Sequence, residues 1–165
     1  MSRFQVSLLS AEMDRSDFDC GSEPLNRYLR EQATQDMRRR IAACFVAQDN
    51  EQALIAGYYT LASASVLLNA LPPATAKKLP RYPTVPAIRM GRLAVDQRSK
   101  GQGLGAALLA DALSRALKSE IAAYALIVDA KDVAAAEFYR HHGFIALPEA
   151  ALSLFLTLET AKAAM

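Results

Sequence analysis

The sequence predicts an α/β (α+β) sandwich in which helices flank a mixed sheet. Three observations carry that prediction. Apolar runs with a period of two alternate along the chain with runs of helical period. The clearest helix, Gln102 to Lys118, sits between two short apolar runs, Ile88 to Val95 and Tyr124 to Val128. That strand–helix–strand order implies parallel strands joined by a right-handed crossover. Finally, 165 residues without repeats, low-complexity tracts or a linker suit one domain, 1–165, large enough to bury a core without metal or disulfides.

Taken in order, Phe4 to Leu9 alternates loosely and reads as a first strand. Asp19-Cys20-Gly21-Ser22 is a turn, with Ser22 placed to cap a helix that has Pro24 in its first turn. Leu25, Tyr28, Leu29, Gln32 and Ala33 share one helical face, and the pattern runs to about Arg40 with one break. Ile41 to Gln48 and Ala53 to Ala64 form a hairpin about Asp49-Asn50-Glu51. Prolines 72, 73, 80, 83 and 86 mark 69–86 as an irregular connection with at most a short helix. In the helix from Gln102, positions 104, 108, 109, 112, 113, 116 and 117 make the apolar stripe. Asp111, Ser114, Arg115 and Lys118 face out. Asp132 to His141 is a further helix ended by Gly143, and Leu152 to Leu158 alternates as a last strand.

Composition narrows the class. Apolar residues make up 52% and charged residues 22%, the balance of a soluble globular protein. Cys20 and Cys44 are too few for a disulfide framework or a zinc pattern, and Cys44 reads as a small core side chain. No apolar stretch suits a signal peptide or a membrane span, so a cytoplasmic protein is expected. Net charge is only +2, yet no acidic residue lies between Glu51 and Asp96, an interval holding Lys77, Lys78, Arg81, Arg89 and Arg92. Such a field attracts polyanions or the phosphates of a cofactor. Arg38-Arg39-Arg40 reads equally well as a helix C-terminus or as part of that field.

The segment with the most chemistry is Arg98-Ser99-Lys100-Gly101-Gln102-Gly103-Leu104-Gly105, between a strand and the amphipathic helix. Glycines let a ligand touch the backbone, and the unpaired amides of a helix's first turn attract anions. Arg98 and Lys100 add positive charge. The segment lacks the Gly-Lys-Ser/Thr of a P-loop, and no acidic residue is convincingly placed for a dinucleotide site.

Arg98-Ser99-Lys100-Gly101-Gln102-Gly103 resembles the Arg/Gln-x-x-Gly-x-Gly/Ala signature of the GNAT acetyltransferase superfamily. More narrowly, the chain is similar to the GNAT-type toxins of bacterial toxin–antitoxin pairs. The likeness includes Phe18-Asp19-Cys20-Gly21 with Leu25 and Tyr28-Leu29, Gly57-Tyr58-Tyr59-Thr60-Leu61, Leu79-Pro80-Arg81-Tyr82-Pro83, Gly91-Arg92-Leu93-Ala94-Val95-Asp96, Val128-Asp129-Ala130-Lys131 and Phe138-Tyr139 before Gly143-Phe144. The resemblance implies a sheet splayed between the strands ending near Val95 and Asp129, with acetyl-CoA as cofactor. Leu93, Ala94 and Val95 would run beside the pantetheine, and amides near Gln102 to Ala106 would hold the pyrophosphate. It also implies acetylation of the amino acid on a charged tRNA, which blocks translation, and a ribbon-helix-helix antitoxin as partner.

Amide formation needs a neutral amine, a polarised carbonyl and a proton for the departing thiolate. Tyr139 is the candidate donor, since a phenol with reference pKa near ~10 stays protonated at neutral pH. The alternative is a core aromatic beside Phe138. Ile88 to Val95 holds no carboxylate to act as base. That absence favours an α-amino group, titrating near ~8, over a lysine near ~10.4. Arg89 and Arg92 are read as sharing a face and, with Lys77, Lys78 and Arg81, as seating the tRNA acceptor end. The alternative is surface pairing with carboxylates. His141 and His142 read as a helix terminus, no metal is expected, and the role of Asp129 is open. The Tyr- and Leu-rich 53–68 region could supply a homodimer face. Two other functions fit the same residues: acetylation of a small-molecule amine or a protein, and an inactive module that binds CoA or an antitoxin.

Overall fold

The computed structural model describes residues 3–165. Its strands are β1 (Phe4–Leu8), β2 (Ala43–Asp49), β3 (Leu54–Leu67), β4 (Thr84–Val95), β5 (Ala125–Asp129), β6 (Ile145–Leu147) and β7 (Ala150–Thr157). Its helices are α1 (Glu23–Arg27), α2 (Ala33–Arg38), α3 (Pro73–Ala76), α4 (Leu104–Lys118), α5 (Val133–His141) and α6 (Leu158–Ala164), with a π-helical stretch, Tyr28–Gln32, joining α1 to α2. The strands make a seven-stranded mixed sheet. Two compact units emerge, Met1–Ala62 with Gly91–Ala112, and Ser63–Met90 with Leu113–Met165.

In the first unit the strand order is β1-β2-β3-β4, and β1 and β3 both run antiparallel to β2. Leu29, Ala33, Cys44, Val46 and Tyr58 are fully buried in its core. Cys44 is the core side chain expected of it, and burial pushes its thiol up to about 12. Of the 53–68 region read as a possible dimer face, Leu67 is exposed while Tyr58 and Tyr59 are fully buried. The reason is that this part of β3 is interior and has no solvent face to offer: residues 55–60 are all buried. Asp111 also departs from the expectation that it faces out, because its carboxylate accepts the Tyr59 hydroxyl proton.

In the second unit the order is β3-β4-β5-β7-β6. The register of the parallel pair runs from Ala87–Ala125 to Met90–Val128, while β4 itself continues to Val95. Val66, Leu71, Val85, Ala87, Ile127 and Phe155 form the core. Some elements differ from the sequence reading. β4 starts at Thr84, because Pro86 is tolerated at an exposed position where it displaces no core side chain. β6 has only three residues, too few to show a period. The last strand gives way at Thr157, whose hydroxyl accepts the Thr160 amide and caps α6. Among the described residues no helix is long and apolar enough to cross a membrane.

Candidate active site

The glycine-rich loop is built on a buried carboxylate. Asp96, 1% exposed, follows β4 and accepts four hydrogen bonds. Arg98 gives its amide at 2.9 Å, its Nε at 2.9 Å and its Nη2 at 2.9 Å, and the Asp19 amide donates at 3.1 Å. Burial alone would raise this carboxyl, but the bonds from Arg98 and from the Asp19 amide outweigh it and hold it below the usual carboxylate range. Asp96 therefore ties the turn Gln97–Ser99 to the 17–21 segment of the chain. The Arg98 guanidinium also donates to the Asp17 carbonyl, and Lys100 Nζ donates to the Cys20 carbonyl at 3.0 Å.

These contacts redistribute the roles within the loop. The amides of Arg98, Ser99 and Lys100 already donate within it, to Asp96 Oδ1, the Asp96 carbonyl and the Gln97 carbonyl. The side chains of Arg98 and Lys100 fix its shape. What faces outward is the next stretch. Gly101 and Gly103 have φ of +79° and +76°, and a Cβ at either position would meet nothing within 4 Å. Ala107 donates back to the Gly103 carbonyl, so the amides of Leu104, Gly105 and Ala106 form the unpaired first turn of α4. An open backbone edge at the N-terminus of a 15-residue helix fits a pyrophosphate. Leu93 and Val95, half-buried, and Ala94, buried, lead into it along β4.

The same unit holds a cavity of about 370 Å³ lined by Leu25, Arg27, Tyr28, Glu31, Gln32 and Arg92. The Arg92 guanidinium carbon sits 3.6 Å from the Tyr28 ring centroid. The Tyr28 hydroxyl donates to Asp36 at 2.8 Å, which fixes the ring under the cation. Sequence reading named Arg92 but gave Tyr28 no functional role. The signals available were a tyrosine on the apolar face of a helix and its place in the family likeness, and neither separates a core ring from a cavity wall.

In the second unit Tyr139 is 4% exposed on α5. Burial, reinforced by the charge of Asp129, pushes its phenol up, so the proton is held firmly. The end of α5 is fixed by the Phe144 amide, which donates to the Tyr139 carbonyl. Phe138 packs against both the Tyr139 and His142 rings. Arg89 pairs with Asp129 at 2.7 and 2.8 Å, the carboxylate pairing weighed as its alternative. Asp129 thereby acquires a role, and Ser153 also donates to it. The expectation that Arg89 and Arg92 share a face is revised on two grounds: positions three apart lie on opposite sides of a regularly alternating strand, and each arginine has its own partner. Lys77, Lys78 and Arg81 are exposed. Among the described residues no group of three or more His, Cys, Asp or Glu is arranged to hold a metal ion.

Residues 19–152 match the acetyltransferase (GNAT) domain family. A tRNA-acetylating toxin of Mycobacterium tuberculosis is 34% identical over 152 residues, which span 91% of this chain and 89% of that protein. Among solved structures, AtaT complexed with acetyl-methionyl-tRNAfMet superposes with a TM-score of 0.89 at 32% identity, covering 98% of both chains. A mutant AtaT toxin bound to the C-terminus of the antitoxin AtaR and acetyl-CoA gives 0.83 at 26% identity, covering 99% of this chain and 98% of that one. With the signature loop presented at the start of α4 and the family matched over most of its length, the chain belongs to the GNAT acetyltransferase family.

Proposed function

We propose that this chain is one acetyltransferase domain, a toxin that acetylates the amino group of aminoacyl-tRNA in the cytoplasm and so blocks translation, with a ribbon-helix-helix antitoxin as partner. The observation that carries the reading is the outward backbone edge of Gly101 to Ala106 in a chain 34% identical to a tRNA-acetylating toxin. Acetyl-CoA, when bound, supplies the activated acyl group. Amides from Gly101, Gln102, Gly103, Leu104, Gly105 and Ala106 hold its pyrophosphate. Arg98, Ser99 and Lys100 keep that edge in shape. Main-chain groups of Leu93, Ala94 and Val95 align the pantetheine and polarise the carbonyl.

The amine nitrogen attacks the thioester carbonyl carbon, forming the C–N bond as the C–S bond breaks. Tyr139 donates its phenolic proton to the departing sulfur and is reprotonated from solvent. The amine loses its own proton to solvent, which is easier for an α-amino ester than for a lysine. Arg89 and Arg92, together with Lys77, Lys78 and Arg81, help seat the acceptor end of the tRNA. The acid-free interval 52–95 points independently to a polyanion.

The deciding experiment is transfer of radiolabelled acetyl from acetyl-CoA to charged tRNA, beside deacylated tRNA and free amino acids. Label on charged tRNA alone, released by mild base that cleaves the aminoacyl ester, is the expected result. CoA release with polyamines or peptides, and none with tRNA, would instead support acetylation of a small amine or protein.

A further inference from the structure

We infer that Tyr82 is a stacking platform for an unpaired base at the 3′ end of the tRNA, an inference that rests on the tRNA-acetylating reading above. Tyr82 is the most exposed aromatic side chain among the described residues, at 69%. Exposing a ring to water forfeits the burial that aromatic residues usually contribute, so its position invites a ligand. The ring borders two cavities of the second unit. One, of about 620 Å³, is lined by Leu67, Leu68 and Leu71 with Lys77 and Arg81 at its wall. The other, of about 210 Å³, is almost wholly apolar and is lined by Pro80, Val85 and Tyr124 among others. Tyr82 lines both cavities.

The mounting is stiff. Pro83 restricts the backbone of Tyr82 to extended conformations, and the Pro83 carbonyl accepts the Leu68 amide at 3.0 Å. The backbone that carries the ring is thus set before any ligand arrives, which lowers the entropy lost on binding.

The choice of ligand follows from the neighbours. Cations share the larger cavity with flat apolar surface, and no acidic residue occurs from 52 to 95. Flat groups strung on an anionic backbone are what single-stranded nucleic acid presents, and stacking on an aromatic ring with cations alongside is how proteins hold it. Bases inside a duplex are already stacked and paired, so the unpaired acceptor end is the part of a tRNA that fits.

The test uses the full chain and a synthetic acceptor-stem hairpin with four unpaired 3′ nucleotides, one of them 2-aminopurine. Stacking quenches 2-aminopurine fluorescence. Tyr82→Ala should weaken binding about tenfold and abolish the quench, while Tyr82→Phe keeps both. Melting temperatures of the two variants establish that the exposed ring was removed without unfolding. Unchanged binding by Tyr82→Ala overturns the platform. So does a drop in sedimenting mass on Tyr82→Ala, which would assign the ring to a contact between two copies of the chain. If wild-type protein acetylates charged tRNA but Tyr82 makes no difference to the hairpin, only the platform falls. If it quenches the hairpin through Tyr82 yet acetylates no charged tRNA, the platform stands and the substrate reading falls.

Discussion

Replacing Asp96 with Asn would test the architecture of the cofactor loop with almost no change in size. Four donors converge on this carboxylate, two of them backbone amides. The asparagine carbonyl can keep the Arg98 amide and Nε, but its NH₂ must then face the Asp19 amide and Arg98 Nη2. Donor would meet donor at a site 1% exposed to solvent. Hydrogen bonds to a charged group contribute about 1.5–3 kcal/mol each. The Arg98 side chain is 46% exposed, so water recovers much of its share. A net loss of about 3 kcal/mol is expected, equivalent to a fall in Tm of roughly 6–12 °C for a chain of this size. Urea unfolding followed by far-UV circular dichroism measures it.

The pH dependence supplies the sharper check. A carboxyl depressed in the folded state stabilises above its unfolded pKa, near ~3.9, and that stabilisation is lost as pH falls towards the folded value. The wild-type advantage over Asp96→Asn should therefore be level from pH 7 to about 5 and narrow by pH 3. Acetyl-CoA affinity should fall with it, because the carboxylate holds the turn before Gly101. A gap below about 1 kcal/mol at pH 7, or one that stays constant down to pH 3, would refute the assignment of Asp96 as the loop's anchor.

Tyr139→Phe should keep acetyl-CoA binding and cut turnover about 10²-fold or more, as for loss of a general acid; unaltered turnover in a stopped thiol assay removes the phenol from the mechanism. Gly103→Val adds a side chain into open space at a φ of +76°, so calorimetry should detect no acetyl-CoA binding with only a modest loss of stability; a wild-type Kd would refute the cradle. Arg92→Ala should weaken charged-tRNA binding more than acetyl-CoA binding, and Arg89→Ala should do the same while freeing Asp129; equal losses for both ligands would point to a cofactor role or damaged folding. Activity should survive EDTA, and loss restored by a divalent ion would contradict the reading of His141 and His142.

Much of the site was legible because it depends on backbone. The loop from Arg98 to Gly105 announces itself through glycines ahead of an amphipathic helix, and Lys77, Lys78 and Arg81 stand exposed in an interval without acids. What could not be read was the destination of long side chains. Arg98 and Lys100 look like free cations in sequence, yet they reach carbonyls and a carboxylate supplied from the 17–21 segment and Asp96. Nothing local encodes a contact 81 residues distant. Arg89 meets Asp129 for the same reason, across strands whose register only the fold defines. Asp111 was misplaced because a polar residue on the flank of an apolar stripe looks solvent-facing unless a buried hydroxyl such as that of Tyr59 waits for it.

The wide turn at Tyr28–Gln32 explains a pattern that ordinary helical geometry would not permit. Leu25, Leu29, Ala33 and Met37 recur every four residues, and all four pack on the same core. In an unbroken α-helix each residue advances about 100°, so twelve residues leave the first and last about 120° out of phase. The π stretch, in which the Ala33 amide reaches back five residues to the Tyr28 carbonyl, winds more slowly and absorbs most of that drift. A point substitution cannot undo this, because the phase belongs to the residue count. Inserting one further residue at ordinary helical pitch into 28–32 would swing α1 by about 100° relative to α2. Leu25 would leave the core, and Tyr28 would no longer lie beneath Arg92. The wall of the cavity is therefore set by the length of a helix as much as by the side chains upon it.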